Sequence, residues 1–138
     1  MSSLNRFGVS LEQALLLKFD RYLKTKSYTN RSEAIRDLIR KTLVAEEWTE
    51  NKEVAGAITL IYDHHRRELV QKLTAIQHDF GDIIISSQHV HLDHHNCLEI
   101  VAVKGRAHKA KQLSDRLQSA RGVKHTSFAM ATTGRAMI

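Results

Sequence analysis

Ile83-Ile-Ile-Ser-Ser-Gln-His-Val-His-Leu-Asp-His-His-Asn-Cys-Leu-Glu-Ile-Val-Ala-Val103 is the stretch on which the fold of this chain turns. Its β-rich composition predicts a strand over residues 83–92, a turn at 93–96 and a hairpin partner over 97–103. Upstream, Ile58–Tyr62 is a second β-rich run, and Arg66–Gln77 is a helix with Leu69, Leu73 and Ile76 inward. Downstream, 107–120 is another amphipathic helix, ended by Gly122, and 123–129 supplies a last short strand. The order is βαββαβ.

That order is the ferredoxin-like pattern. Ahead of it the chain changes character. Residues 5–11 alternate, with Phe7, Val9 and Leu11 on one face and Arg6, Gly8 and Ser10 on the other. Ser10 and Gln13 fit a capping box that opens a helix carrying Ala14, Leu15, Phe19, Tyr22 and Leu23. Asn30 and Glu33 fit a second, before the stripe Ala34, Ile35, Leu38, Ile39 and Leu43. About 45 residues ordered strand, helix, helix bury too little to stand alone. The economical solution is a dimer whose strands pair into a ribbon. Such a ribbon fits the DNA major groove and offers Arg6, Gly8 and Ser10 to the bases. Asn30, Arg31 and Ser32, at the start of the second helix, face a flanking phosphate.

The 138 residues are 42% apolar and 26% charged, which excludes a disordered chain. No apolar run approaches the ~18–20 residues a bilayer requires, and no signal peptide opens the sequence. The single cysteine excludes an internal disulfide and points to a reducing, cytoplasmic setting. Net charge is +6, and residues 1–45 hold nine Lys/Arg against four Asp/Glu. An acidic partner such as nucleic acid follows. All nine histidines lie at or after His64, and seven fall between His64 and His95. The expected organisation is a DNA-binding domain at 1–48, a linker at 49–56, a metal-binding domain at 57–131 and a tail at 132–138.

His89 and His91, two apart on a strand, share a face, and the turn brings Cys97 back beside them. Two imidazoles and one thiolate therefore converge. Glu99, on the face of Cys97, is a candidate acceptor for an imidazole N–H. For a fourth ligand, His78 at a helix end is plausible chiefly from another chain, while His94 and His95 sit on the turn. The donor set suits Ni(II) or Cu(II) in a plane and Zn(II) in a tetrahedron.

Several of these stretches carry a family resemblance. They are Asn30–Asp37, Tyr62-Asp-His-His-Arg-Arg-Glu-Leu69, Gln77-His78, His89 to Glu99 and Arg121-Gly-Val. From Arg6 to about Met130 the chain resembles a nickel-responsive transcriptional regulator of the NikR family. The resemblance implies an α+β protein with a ribbon-helix-helix domain before a ferredoxin-like, ACT-type regulatory domain. It implies one Ni(II) per subunit, bound by His89, His91 and Cys97 with His78 of the partner subunit in a square-planar site. It also implies a homotetramer, a dimer of dimers, that when loaded represses from palindromic operator DNA, for example at nickel-uptake genes. Arg6, Gly8 and Ser10 take the base-facing positions, although Gly8 lacks the side chain that relatives have there. Arg66 and Arg67 match phosphate-contacting positions. Glu33 and Asp37 resemble part of a weaker cation site completed by carbonyls near Gln118, Ala120 and Val123. His64 resembles a secondary metal ligand, and His65 receives no role.

Two other classes fit less well. A metalloenzyme would use Glu99 as its general base, but no further acid, base or oxyanion group accompanies it. An antitoxin-like protein would have a partner-wrapping rear half, whereas residues 57–130 are strongly periodic.

Overall fold

The computed structural model describes residues 3–137 and divides into two compact units, one of residues up to Leu43 and one of Val44–Ala136. In the first unit, helix α1 spans Gln13–Thr25, and helix α2, spanning Arg31–Thr49, begins there. Leu23 and Ala34 are buried, and the Tyr28 hydroxyl donates to Asp37 Oδ2 at 2.7 Å. The expected second cap forms, because the Glu33 amide donates to Asn30 Oδ1 at 2.9 Å.

The expected first cap does not. Helix α1 starts from Glu12, whose carbonyl accepts the Leu15 and Leu16 amides, and no side chain caps it. Glu12 itself is extended, which leaves Ser10 upstream of the first turn. The strand expected at residues 5–11 is likewise not formed. A strand exists through its ladder, and among the described residues no segment pairs with this one. Phe7 and Val9 are consequently 73% and 61% exposed.

The second unit holds β1 (Glu53–Tyr62), α3 (Arg67–Asp79), β2 (Ile84–His91), β3 (Cys97–Arg106), α4 (Ala107–Ser119) and β4 (His125–Met130). Its four strands form one antiparallel sheet in the order β2-β3-β1-β4, as a βαββαβ chain requires. The expected linker at 49–56 is corrected here. Helix α2 runs to Thr49, and β1 already begins at Glu53, four residues before the expected 57. The tight turn is made by Asn51 in the left-handed region, φ 56°. Trp48 anchors it: buried, edge-on to Phe128, its indole N–H donates to the Ala131 carbonyl at 2.8 Å.

Val54, Ile58, Leu60 and Tyr62 of β1 and Cys97, Val101 and Val103 of β3 alternate onto one face of the sheet. There they meet Leu69, Leu73 and Ile76 of α3 with Ala110, Leu113 and Leu117 of α4. Each such leucine contributes about 1.5–3 kcal/mol by leaving water. Among the described residues no helix is long and apolar enough to cross a membrane.

Strand β2 carries one irregularity. Ile84 pairs with Val103 but Ser86 with Ala102, so Ile85 is an extra residue, 65% exposed. Just beyond, Gly105 lies against Ile83. A methyl added at Gly105 would fall 2.5 Å from Ile83 Cγ2. Gly105→Ala should therefore destabilise the protein by about 1–3 kcal/mol through overpacking. Ile83→Ala removes that Cγ2, so the double variant should lose less than the sum of the two single changes, which urea denaturation of the three variants will measure.

Candidate metal centre

Antiparallel pairing sets His89 opposite Glu99 and His91 opposite Cys97. Directly opposed residues project to the same side of a sheet, so all four side chains share the helix-covered face. They lie at its margin, where β2 is the edge strand. Cys97 Sγ is 4.0 Å from His89 Nδ1, and His89 Nε2 is 3.6 Å from Glu99 Oε2. The two sides differ in solvation. Cys97 and Glu99 are buried, whereas the His89 side chain is 53% exposed. His89 and Glu99 line a cleft of about 220 Å³ with Val70, Leu73, Thr74 and Gln77 of α3.

Burial pushes the Cys97 thiol above its ordinary pKa. Glu99 is fixed at both oxygens: the Tyr62 hydroxyl donates to Oε1 at 2.6 Å and the Gln77 amide to Oε2 at 2.8 Å. Burial and then the Glu99 bond push the Tyr62 hydroxyl well above its ordinary range, so it remains a donor. Glu99 thus stands beside His89 with its other contacts already made.

His91 turns its ring onto His64, with centroids 4.4 Å apart and planes 6° from parallel. Burial holds the His64 pKa below its ordinary value. His78 is exposed near the C-terminal end of α3, and its carbonyl accepts the Gly81 amide. Among the described residues His78 makes no side-chain hydrogen bond or ring contact with His89, His91 or Cys97. Among the described residues the groups that bring three ligand atoms within 4.8 Å of one another are His65 with His94 and His95, and Asp63 with His64 and His65; His89, His91 and Cys97 share a face but are not drawn together that closely.

Arg6, Gly8 and Ser10 are exposed in the segment ahead of α1. Arg31 is held by Asp20 through two bonds of 3.0 and 2.9 Å rather than standing free, and Ser32 is exposed. Glu33 and Asp37 are each engaged by neighbours of their own. Glu33 binds Arg36 at 3.0 Å, while Asp37 takes Tyr28 and Arg40. Arg66 lies against Gly122, whose φ of +105° and missing Cβ admit the guanidinium, and Arg67 is exposed. Sequence reasoning missed Tyr62 and Gln77 as the holders of Glu99. The available signal was a buried carboxylate, which demands donors.

Residues 55–131 match the family described as the NikR C-terminal nickel-binding domain. A protein of Syntrophus aciditrophicus named as a nickel-responsive regulator is 58% identical, covering 98% of each chain. Those so named in Chlorobium limicola and Thermococcus onnurineus are 54% and 52% identical, covering 97% and 98% of this chain and 100% and 99% of theirs. Among solved structures, an uncharacterized protein of Thermotoga maritima superposes with a TM-score of 0.51 at 14% identity. It spans 56% of this chain and 96% of its own, a likeness of fold alone.

Tyr62→Phe leaves Glu99 Oε1 buried without its donor and should cost about 1–3 kcal/mol of stability. Glu99→Leu paired with Tyr62→Phe should cost less than the sum of the two single changes. A double-mutant cycle by denaturant titration measures the difference.

Proposed function

Because the chain belongs to the family of nickel-responsive regulators that carry the NikR C-terminal nickel-binding domain, we propose that it is a transcriptional repressor that binds operator DNA when loaded with Ni(II). The observation that carries this is the β2–β3 register, which puts two imidazoles and one buried thiol on one face of a hairpin. The donor set fits the ion: nitrogen and sulfur ligands suit a borderline cation such as Ni(II). His89, His91 and Cys97 would hold it, one ion per subunit. Glu99 would keep the His89 imidazole in orientation. Bound nickel supplies a rigid link among its ligands. Under the same proposal the fourth ligand is His78 of the partner subunit, which its exposure at the end of α3 leaves accessible.

The front unit would dimerise by pairing residues 5–11 of two chains into a ribbon. The exposure of Phe7 and Val9 supports this, since both would be covered by such pairing. Arg6, Gly8 and Ser10 then face the bases of a palindromic operator. Asn30, Arg31 and Ser32 flank the phosphates, with Arg66 and Arg67 adding contacts from the regulatory unit. Arg31 would have to leave Asp20 to reach DNA, so its contact is a partner exchange and not a new ion pair. A tetramer of two such dimers would bury the sheet face opposite α3 and α4, where Ile61, Leu98 and Ile100 are only half-buried. Glu33 and Asp37 would contribute a weaker cation site, and His64 a secondary ligand beside His91. The protein would act in the cytoplasm, at promoters such as those of nickel-uptake genes.

Regulation needs a difference in affinity. An ion bound equally by all conformations shifts nothing, so nickel must favour the arrangement that grips DNA, and DNA must in turn tighten nickel. A gel shift of promoter DNA with apo and nickel-loaded protein should show binding that depends on metal. Equal binding in both states would sink the proposal. Arg6→Ala should relax preference at one base pair per half-site by about 1–3 kcal/mol.

Sharing of the site between chains has its own test. Cys97→Ala and His78→Ala proteins, each inactive, should regain part of the nickel-dependent DNA binding when mixed and reassembled. A site wholly within one chain forbids that rescue.

A further inference from the structure

The loop between β1 and α3 and the tip of the β2–β3 hairpin carry the same triplet, Asp-His-His, at 63–65 and 93–95. The two copies fold alike. Asp63 Oδ1 accepts the His65 amide at 2.9 Å, and Asp93 Oδ1 accepts the His95 amide at 2.8 Å. Each aspartate thus builds a small turn, which leaves His65, His94 and His95 exposed while His64 turns inward onto His91. The Asp93 copy is braced further, because both its oxygens take the Asn96 side-chain amide at 3.0 Å. Asp63 also lies 3.3 Å from His65 Nδ1, which orients that ring.

The two triplets meet. The ring of His65 lies 4.9 Å from that of His94 and 6.3 Å from that of His95, and His94 lies 4.7 Å from His95. One nitrogen from each of the three rings falls within 4.8 Å of the others. Metal–imidazole bonds of about 2.0–2.1 Å set ligand nitrogens about 3 Å apart, so modest rotation of exposed side chains closes the set. Asp63 and His64 face the His65 ring.

We propose that His65, His94 and His95 form a second transition-metal site, with Asp63 orienting His65, separate from the His89, His91 and Cys97 set. Its ligand is a divalent cation of borderline softness, Ni(II) or Zn(II), with solvent completing the coordination. The site has no thiolate and is exposed, so it binds more weakly than the first. His64 stands between the two: its ring is 4.2 Å from His65 and 4.4 Å from His91. Its buried Nδ1 has no hydrogen-bond partner. The imidazoles therefore run without a gap from the exposed cluster to the Cys97 hairpin.

Equilibrium dialysis of the full chain against Ni(II), and separately Zn(II), tests this. The wild-type protein should bind one more ion per chain than the double variant His65→Ala/His94→Ala. A second variant, His108→Ala, removes one exposed imidazole elsewhere and should leave the count unchanged. The double variant should keep the thiolate-to-nickel absorption of Cys97, which shows that it folds and that the first site is intact. An unchanged ion count in the double variant, or an equal drop in His108→Ala, overturns the second site. Absence of the thiolate band from wild type would instead refute the proposed nickel function, while the difference in count between wild type and double variant still decides the exposed site.

Discussion

The pairing of β2 with β3 is the constraint on which the rest of the second unit depends. A strand has a side-chain period of two, so a slip of one residue would carry His89 and His91 to the opposite face of the sheet. The extra residue Ile85 sets that phase. Before it Ile84 shares a side with Val103, and after it Ser87, His89 and His91 share a side with Val101, Glu99 and Cys97. The bulge thus converts an apolar run, which starts the strand against the core, into a polar one that still faces the helices. It also explains why an isoleucine stands in water. The adjoining Gly105 admits Ile83 where no side chain would fit, which holds the start of the strand in place.

The front unit obeys a different economy. Leu15, Leu17, Leu38, Ile39 and Leu43 all remain substantially exposed, while Leu23 and Ala34 are buried. Two helices can seal little surface between them, and a segment such as residues 5–11 has no ladder of its own. What holds the unit locally is polar: Arg31 with Asp20, Tyr28 with Asp37 and Asn30 at the helix start. Exposed charge pairs contribute about 0–1 kcal/mol each, far less than the burial of one leucine. Most of the apolar area of these stripes is therefore left in water in the single chain and contributes little to holding it.

Much of this was legible in the sequence because periodicity and turn chemistry are local. The hairpin from Ile84 to Arg106, both helices of the second unit and the Asn30 cap were all within reach of residue spacing. The cap at Ser10 was not, because the same four-residue pattern can be present while the backbone at Glu12 stays extended. Nor was the early start of β1. Val54 and Gly56 sit in an acidic stretch that resembles a linker, and what draws it into the sheet is pairing of Glu53–Gly56 with Val103–Arg106, distant in sequence, beside Trp48 meeting Phe128 and Ala131. For the site, spacing put His89, His91 and Cys97 on one face of a hairpin but carried no sign of the side-chain rotation that stacks His91 on His64. The meeting of two Asp-His-His triplets was invisible for the same reason, since it depends on which loop the fold sets beside which.

Glu99 has a bearing on how this chain and its relatives can change over time. It ties together β3, β1 through Tyr62 and α3 through Gln77, and each of its oxygens has a different donor. A carboxylate only accepts, so both neighbours must give a proton to the bond. Altering any one of the three strands a polar atom at a cost of about 1–3 kcal/mol, a large share of the margin by which a domain stays folded. Selection then sees the three positions as a single character. Tyr62, Gln77 and Glu99 should therefore be kept together or exchanged together for a wholly apolar trio.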